Sequence, residues 1–187
     1  MVAVDLNGKA LASQIRSEIA ADVTAFSAST GVVPTLAAVL VGDDPGSQVY
    51  VRNKQRACQE AGISSILHRL PAETSEAELL NLIARLNADT QVHGILVQTP
   101  LPAHVDSARV LDAVAPLKDV DAFHPENVGL LVQGRPRFLP CTPHGIQQML
   151  HRHGIAFSGR HVVVVGRSDI VGKPMANLFM QRTSPLG

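Results

Sequence analysis

Thr35-Leu-Ala-Ala-Val-Leu-Val41, running straight into Gly42-Asp-Asp-Pro-Gly46, is the stretch that decides the fold. Seven residues with almost no polar interruption suit a strand buried on both faces, and such strands belong to parallel sheets covered by helices. The loop that follows is rich in glycine and aspartate, and it lies at the strand's C-terminal end, where open α/β folds bind ligands. Upstream, Leu11, Ile15, Ile19, Val23 and Phe26 recur at helical spacing until Gly31 and Pro34, which predicts an amphipathic first helix. Downstream, Ser47 is a candidate cap for a helix reaching Ala61, with Gly62 as its stop.

The alternation then repeats. Ile63 to Leu70 reads as a second strand closed by Pro71, and Ser75 and Glu78 stand at capping-box spacing before a helix bearing Leu79, Leu82, Ile83 and Leu86. Gly94-Ile-Leu-Val-Gln98 is the third strand, leading into Thr99-Pro-Leu-Pro102. A further helix is expected around Asp106 to Ala115, followed by a long polar segment from Lys118 to Pro140. Thr142-Pro143 carries the signature of a helix start, with Gly154 at the far end. His161-Val-Val-Val-Val-Gly166 then reads as a strand entering Arg167-Ser-Asp-Ile-Val-Gly172-Lys-Pro174, with a helix over Met175 to Arg182. The expected fold is therefore α/β: a three-layer domain with a mainly parallel sheet over residues 1–140. The start of a Rossmann-like domain follows over 141–187. A mononucleotide-binding half needs three strands and two crossovers, so the 21 residues after Gly166 suggest a second domain cut short.

Composition narrows the function. The 187 residues balance 16 Lys+Arg against 16 Asp+Glu, which argues against a nucleic-acid footprint, and 45% hydrophobic residues can bury a core. The longest apolar runs fall far short of the roughly 20 residues that span a bilayer. The Met-Val-Ala-Val-Asp opening has no secretory pattern, so the cytoplasm is the expected compartment. Cys58 and Cys141 are too few for a disulfide scaffold and read as structural thiols. Asp119 and Asp121 lack a third ligand at convincing spacing, so no metal is expected. His151 and His153 suit a helix C-terminus, and His68 the polar face of a strand.

Two motifs carry chemistry. Tyr50 and Lys54 stand four apart and share one helix face beside the first loop, a candidate acid/base pair. The alternative is a surface lysine whose stem covers the ring. Short-chain dehydrogenases use Tyr-x-x-x-Lys after their glycine loop, whereas here the pair precedes Gly166 by more than a hundred residues. The glycine loop itself is not a Walker loop: five residues separate Gly166 from Gly172, and Pro174 rather than Ser or Thr follows Lys173. A dinucleotide reading remains, with Gly166 letting the backbone approach a pyrophosphate, Arg167 and Ser168 offering charge and hydroxyl, and a helix N-terminus behind. A plain strand-to-helix turn is the competing reading. Gln98, at a strand end, is placed to orient a reactant or simply to terminate the strand.

Tyr50-Val-Arg-Asn-Lys54-Gln-Arg-Ala57, Gly94-Ile-Leu-Val-Gln-Thr-Pro-Leu-Pro102, Lys118-Asp-Val-Asp-Ala-Phe-His-Pro125 and Pro140-Cys-Thr-Pro-His-Gly145 together resemble the successive signatures of bifunctional methylenetetrahydrofolate dehydrogenase/methenyltetrahydrofolate cyclohydrolases. The loop from Gly166 to Pro174 is similar to that family's NADP loop. Thr99 stands where the family usually has leucine, and Ala122 where it usually has glycine. The resemblance implies NADP-dependent oxidation of 5,10-methylenetetrahydrofolate, then hydrolysis of the methenyl cation to 10-formyltetrahydrofolate, by a cytoplasmic homodimer. It makes Lys54 the acid/base of hydrolysis, with Tyr50 and Gln98 positioning and Asp121 accepting from the two-donor edge of the pterin. Ser47, Pro100 and Leu101 line the same cleft, and Gly166, Arg167, Ser168, Gly172 and Pro174 hold NADP. A folate-binding module without a working nicotinamide site is the alternative.

Overall fold

The computed structural model describes Ala3 and residues 5–181. The expected helix end at Arg182 and the stretch Pro185-Leu-Gly187 lie outside the described residues. These fall into two compact units, one formed by residues 13–119 and the other by 1–12 with 120–187. The 140/141 boundary read from the sequence lies inside the second of them.

In the first unit, β1 (Thr35–Val41), β2 (Ser64–Leu70) and β3 (Gly94–Val97) form a parallel sheet in the order β2-β1-β3. Thr35 pairs with Ser64 on one side of β1 and Leu36 with Gly94 on the other. Two helical crossovers make this order possible: α2 (Pro45–Glu60) joins β1 to β2, and α3 (Glu76–Ala88) joins β2 to β3. Ala37, Val39 and Val41 pack with Leu79, Leu82 and Ile83 of α3 and with Ile95 and Val97 of β3. The alternate residues Ala38 and Leu40 are buried on the opposite face, as the doubly covered run requires, and α2 buries Val51 completely.

Several local signals act as the sequence suggests. Ser75 and Glu78 form a reciprocal capping box at the start of α3. α2, however, is capped by Asp44 rather than Ser47, because Pro45 fills the first helical position and the Asp44 carboxylate accepts from Ser47 N at 2.7 Å. α4 (Ser107–Asp112) is shorter than expected and is capped by Asp106. α1 (Gly8–Thr30) forms as predicted, but of its apolar stripe only Leu11 is buried, while Ile19 and Phe26 remain exposed among the described residues.

The second unit is helical. α5 (Pro125–Val132) lies within the long polar segment from Lys118 to Pro140, started by His124, whose Nδ1 accepts from Glu126 N. α6 (Cys141–Arg152) begins one residue before Thr142, which is therefore inside the helix and not its cap. α7 (Gly172–Phe179) begins three residues earlier than expected. Leu131, Met175 and Leu178 form the unit's small core, and Phe157 meets Phe179 edge-on at 5.3 Å. The expected strand from His161 to Gly166 does not form among the described residues. Its valines supply the β-branched pattern but no neighbouring strand supplies a ladder, and Val163 and Val165 stand exposed.

Candidate active site

The sheet brings two distant residues together. Lys54 lies midway along α2, on the same face as Tyr50 one turn earlier, and Gln98 follows β3 directly, its backbone still paired to Val39 O. Lys54 Nζ donates to Gln98 Oε1 at 3.3 Å. The amide cannot turn freely, because Gln98 Nε2 donates to Thr99 O at 2.8 Å and so directs Oε1 at the ammonium. Lys54 has no carboxylate partner among the described residues, which leaves donor capacity for a bound molecule.

Around this pair the other expected residues take different places. Tyr50 is 64% exposed and available to a ligand. Ser47 is buried at the start of α2, its N–H bound to Asp44, and these bonds hold the Asp44 carboxyl below its ordinary range. Pro100 is exposed after a cis peptide bond, whereas Leu101 is half-buried and packs on the sheet's core. One turn beyond Lys54, Cys58 is buried; burial pushes its thiol up, and the charge of Lys54 pulls the other way. A groove of about 750 Å³ beside α3 and the free edge of β2 is lined by His68, Asn81 and Arg85 and contains none of these residues. His68 does not simply present a polar face there, since its Nε2 is buried without a hydrogen-bond partner.

Asp121 belongs to the second unit and is half-buried. Cys141 Sγ donates to Asp121 Oδ1 at 3.7 Å, so this thiol is not a buried structural one: it is exposed at the first turn of α6. No local signal announces the contact, since twenty residues separate the partners. Next to Asp121, Ala122 is buried with φ +58°, a left-handed conformation that favours glycine.

The glycine loop is closed on itself. Gly166 has φ +143°, and a Cβ on Gly172 would lie 2.6 Å from the Gly166 carbonyl, so Gly172 tolerates no side chain. Ser168 Oγ accepts from Val171 N and Gly172 N, each at 3.2 Å, and Lys173 pairs with Asp169. Arg167 is exposed and makes no hydrogen bond or ion pair among the described residues, and space at Gly166 is open. Pro174 is buried in the first turn of α7. An uncommitted guanidinium beside an open glycine fits a phosphate-bearing cofactor. Among the described residues, no group of three or more His, Cys, Asp or Glu is placed to hold a metal, and no helix is long and apolar enough to cross a membrane.

One unit carries a parallel sheet with a lysine–amide pair at a strand's C-terminal end and the other a glycine loop before a helix, each a feature of the α/β class of proteins, whose ligands bind at strand ends and helix N-termini. The chain belongs to the tetrahydrofolate dehydrogenase/cyclohydrolase family: residues 6–121 match the model of its catalytic domain and residues 140–185 that of its NAD(P)-binding domain. It is 63% identical over 193 residues to the bifunctional protein FolD of Rhodopirellula baltica, covering all of this chain and 64% of that one. The chain thus spans just under two thirds of that curated relative. Among solved structures, a 5,10-methylenetetrahydrofolate dehydrogenase from the silkworm superposes with a TM-score of 0.96 at 40% identity, covering all of this chain and 65% of the other. The Trypanosoma brucei dehydrogenase-cyclohydrolase, solved with NADP cofactor and inhibitor, gives 0.89 at 35% identity, covering 95% and 60%.

Proposed function

We propose that this protein oxidises 5,10-methylenetetrahydrofolate to the 5,10-methenyl cation with NADP and hydrolyses that cation to 10-formyltetrahydrofolate. The observation that carries the reading is the Lys54–Gln98 hydrogen bond at the C-terminal edge of the sheet. In the first step the bridging carbon loses a C–H bond as hydride, and NADP, when bound, supplies the acceptor. Gly166, Arg167 and Ser168 would hold its phosphates, with Gly172 and Pro174 shaping the loop behind them. In the second step water adds to the cationic carbon, one C–N bond breaks, and one proton is released overall. Lys54 takes the proton from water and returns one to the departing ring nitrogen, held on line by Gln98, while Tyr50 packs on the folate. Asp121 accepts from the pterin's paired N–H groups, and Ser47, Pro100 and Leu101 complete the cleft. The folate-binding catalytic part spans residues 1–140 and the NADP-binding part 141–187, in a cytoplasmic homodimer.

A folate-binding module without dehydrogenase activity is the second reading, favoured by the unpaired apolar run from Val162 to Val165. Following NADPH formation at saturating methylenetetrahydrofolate separates the two. Absorbance growth with enzyme supports the dehydrogenase, and tight folate binding without NADPH supports the module.

A further inference from the structure

We propose that the face of α2 turned away from Lys54 carries an accessory site for a small polyanion, a molecule with two neighbouring phosphoryl or carboxylate groups. Arg52 and Arg56 each follow a residue of the Tyr50/Lys54 pair by two positions, about 200° around the helix, so they project from the opposite side. A pocket of about 570 Å³ lies there against the start of β2, wholly within the unit of residues 13–119. Arg52, Gln55, Arg56 and Gln59 line it from α2, Ser64 and Ser65 line it from β2, and no carboxylate is among the residues lining it.

Every polar side chain in that lining carries an N–H or O–H donor. The Arg52 guanidinium and the amides of Gln55 and Gln59 make no hydrogen bond or ion pair among the described residues. Arg56 spends Nε on Glu60 Oε1 at 2.9 Å, and Glu60, the sole acidic residue of α2, also meets Arg16 Nε at 3.3 Å, so its one charge already faces two guanidiniums. On the strand side, Ser64 N donates to Pro34 O at 2.8 Å. Because β2 is an outer strand, the alternation of its backbone groups then turns the Ser65 N–H outward at the free edge.

Like charges four residues apart oppose helix formation, and nothing in the lining offsets Arg52 against Arg56. An anion bridging the two guanidiniums converts that repulsion into paired contacts, and the planar fork of arginine matches the oxygens of phosphate and carboxylate groups. At this spacing the two Cβ atoms stand about 5–6 Å apart, which gives two anchoring points. The volume lies within the ~300–1,000 Å³ of small-molecule sites, so the pocket holds a ligand larger than a single oxyanion.

The test titrates the full chain by calorimetry at low ionic strength with inorganic pyrophosphate and, separately, with citrate. Wild type is expected to bind at least one of them, with affinity that falls as salt is raised. Binding of pyrophosphate alone assigns the site to phosphoryl groups, and binding of citrate alone assigns it to carboxylates. Arg52→Gln is expected to weaken that binding on the order of tenfold or more, through loss of a charge-assisted hydrogen bond. Gln59→Glu, which sets a carboxylate in the lining, is expected to do the same, and Arg52→Lys, a charge without the fork, to fall between. Arg167→Gln separates this site from the glycine loop, since the binding lost in Arg52→Gln should persist there. No binding of either anion, binding that survives both Arg52→Gln and Gln59→Glu, or binding removed by Arg167→Gln instead overturns the proposal. Melting curves without anion complete the test: relief of the like-charge pair predicts no fall for Arg52→Gln, and a marked fall would make Arg52 a structural residue and overturn the site.

Discussion

Lys54 Nζ and Gln98 Oε1 stand 3.3 Å apart across 44 residues of chain, joined because the order β2-β1-β3 sets the end of β3 beside the helix that follows β1. The lysine's hydrogen-bond partner is neutral, and the Thr99 carbonyl fixes which end of that amide it meets. Lys54→Met removes the nitrogen proposed to move protons but keeps the stem volume. The expected outcome is loss of methenyl hydrolysis with folate binding retained. Decay of the methenyl absorbance at near wild-type rate would sink the lysine mechanism.

Asp121→Asn tests the pterin edge. An amide accepts from one of the two ring donors and opposes the other with its own NH₂, a mismatch of about 2–5 kcal/mol for a desolvated charge-assisted pair. Folate affinity is expected to fall sharply and NADP affinity to stay. Calorimetry on both ligands checks it, and equal folate affinity places Asp121 outside the pocket.

What the sequence made legible was local. The run Thr35–Val41 announces burial on two faces, and Ser75 with Glu78 announces a helix start, because each signal is complete within a few residues. Tyr50 and Lys54 share a face for the same reason. Ser47 does not cap α2 because Asp44, three residues earlier, stands directly before Pro45, which fills the first helical position. α5 was missed because it is eight residues long, buries only Asn127 and Leu131, and sits in a polar stretch. The run His161–Gly166 shows the limit most plainly, since a strand exists only when another strand pairs with it. Likewise Gln98 was visible as a strand terminus, but its partner was not, and the Cys141–Asp121 contact had no signal within reach of either residue.

The capping box of α3 carries its own pH dependence. Ser75→Ala removes the acceptor for Glu78 N and is expected to cost about 1 kcal/mol at neutral pH, read from denaturant midpoints. The bonds from Ser75 hold the Glu78 carboxyl below its ordinary value, so their contribution is present above that value and lost as pH falls through the lowered one. The gap between variant and wild type should therefore narrow as pH falls below the ordinary glutamate range. A gap that widens in acid would contradict the assignment.

His144 gives the opposite kind of group the same sign. Burial holds its imidazole below the ordinary value. Arg152 Nε donates to Gln148 Oε1, which turns the Gln148 amide nitrogen toward His144 Nε2 at 3.2 Å and requires that ring nitrogen to accept. The folded state thus favours neutral imidazole, and the unfolded chain binds the proton first as pH falls below about 6.5. Wild-type stability should decline from there through the lowered folded value. His144→Gln retains an acceptor and does not titrate, so its stability should be flatter over that window; identical slopes in pH-dependent denaturation would exclude His144 as the source.

Ala122 is the place where one methyl group tests the backbone beside Asp121. Its φ of +58° costs a residue with a Cβ about 1–2 kcal/mol, and it is only 2% exposed. Ala122→Gly relieves that cost but adds about 0.4–1 kcal/mol of unfolded-chain entropy and gives up a buried methyl, so the net change should stay within about 1 kcal/mol. Ala122→Val acts in one direction only. A β-branched side chain is far less tolerated in this conformation, and two more carbons in a buried site add overpacking of about 1–3 kcal/mol. The valine variant should be destabilised by about 2–4 kcal/mol and the glycine variant should be nearly neutral, both measured by chemical denaturation. Because Ala122 adjoins Asp121, the valine variant should also weaken folate binding more than NADP binding. A valine variant as stable as wild type would show that the backbone at this position is not held in the left-handed region.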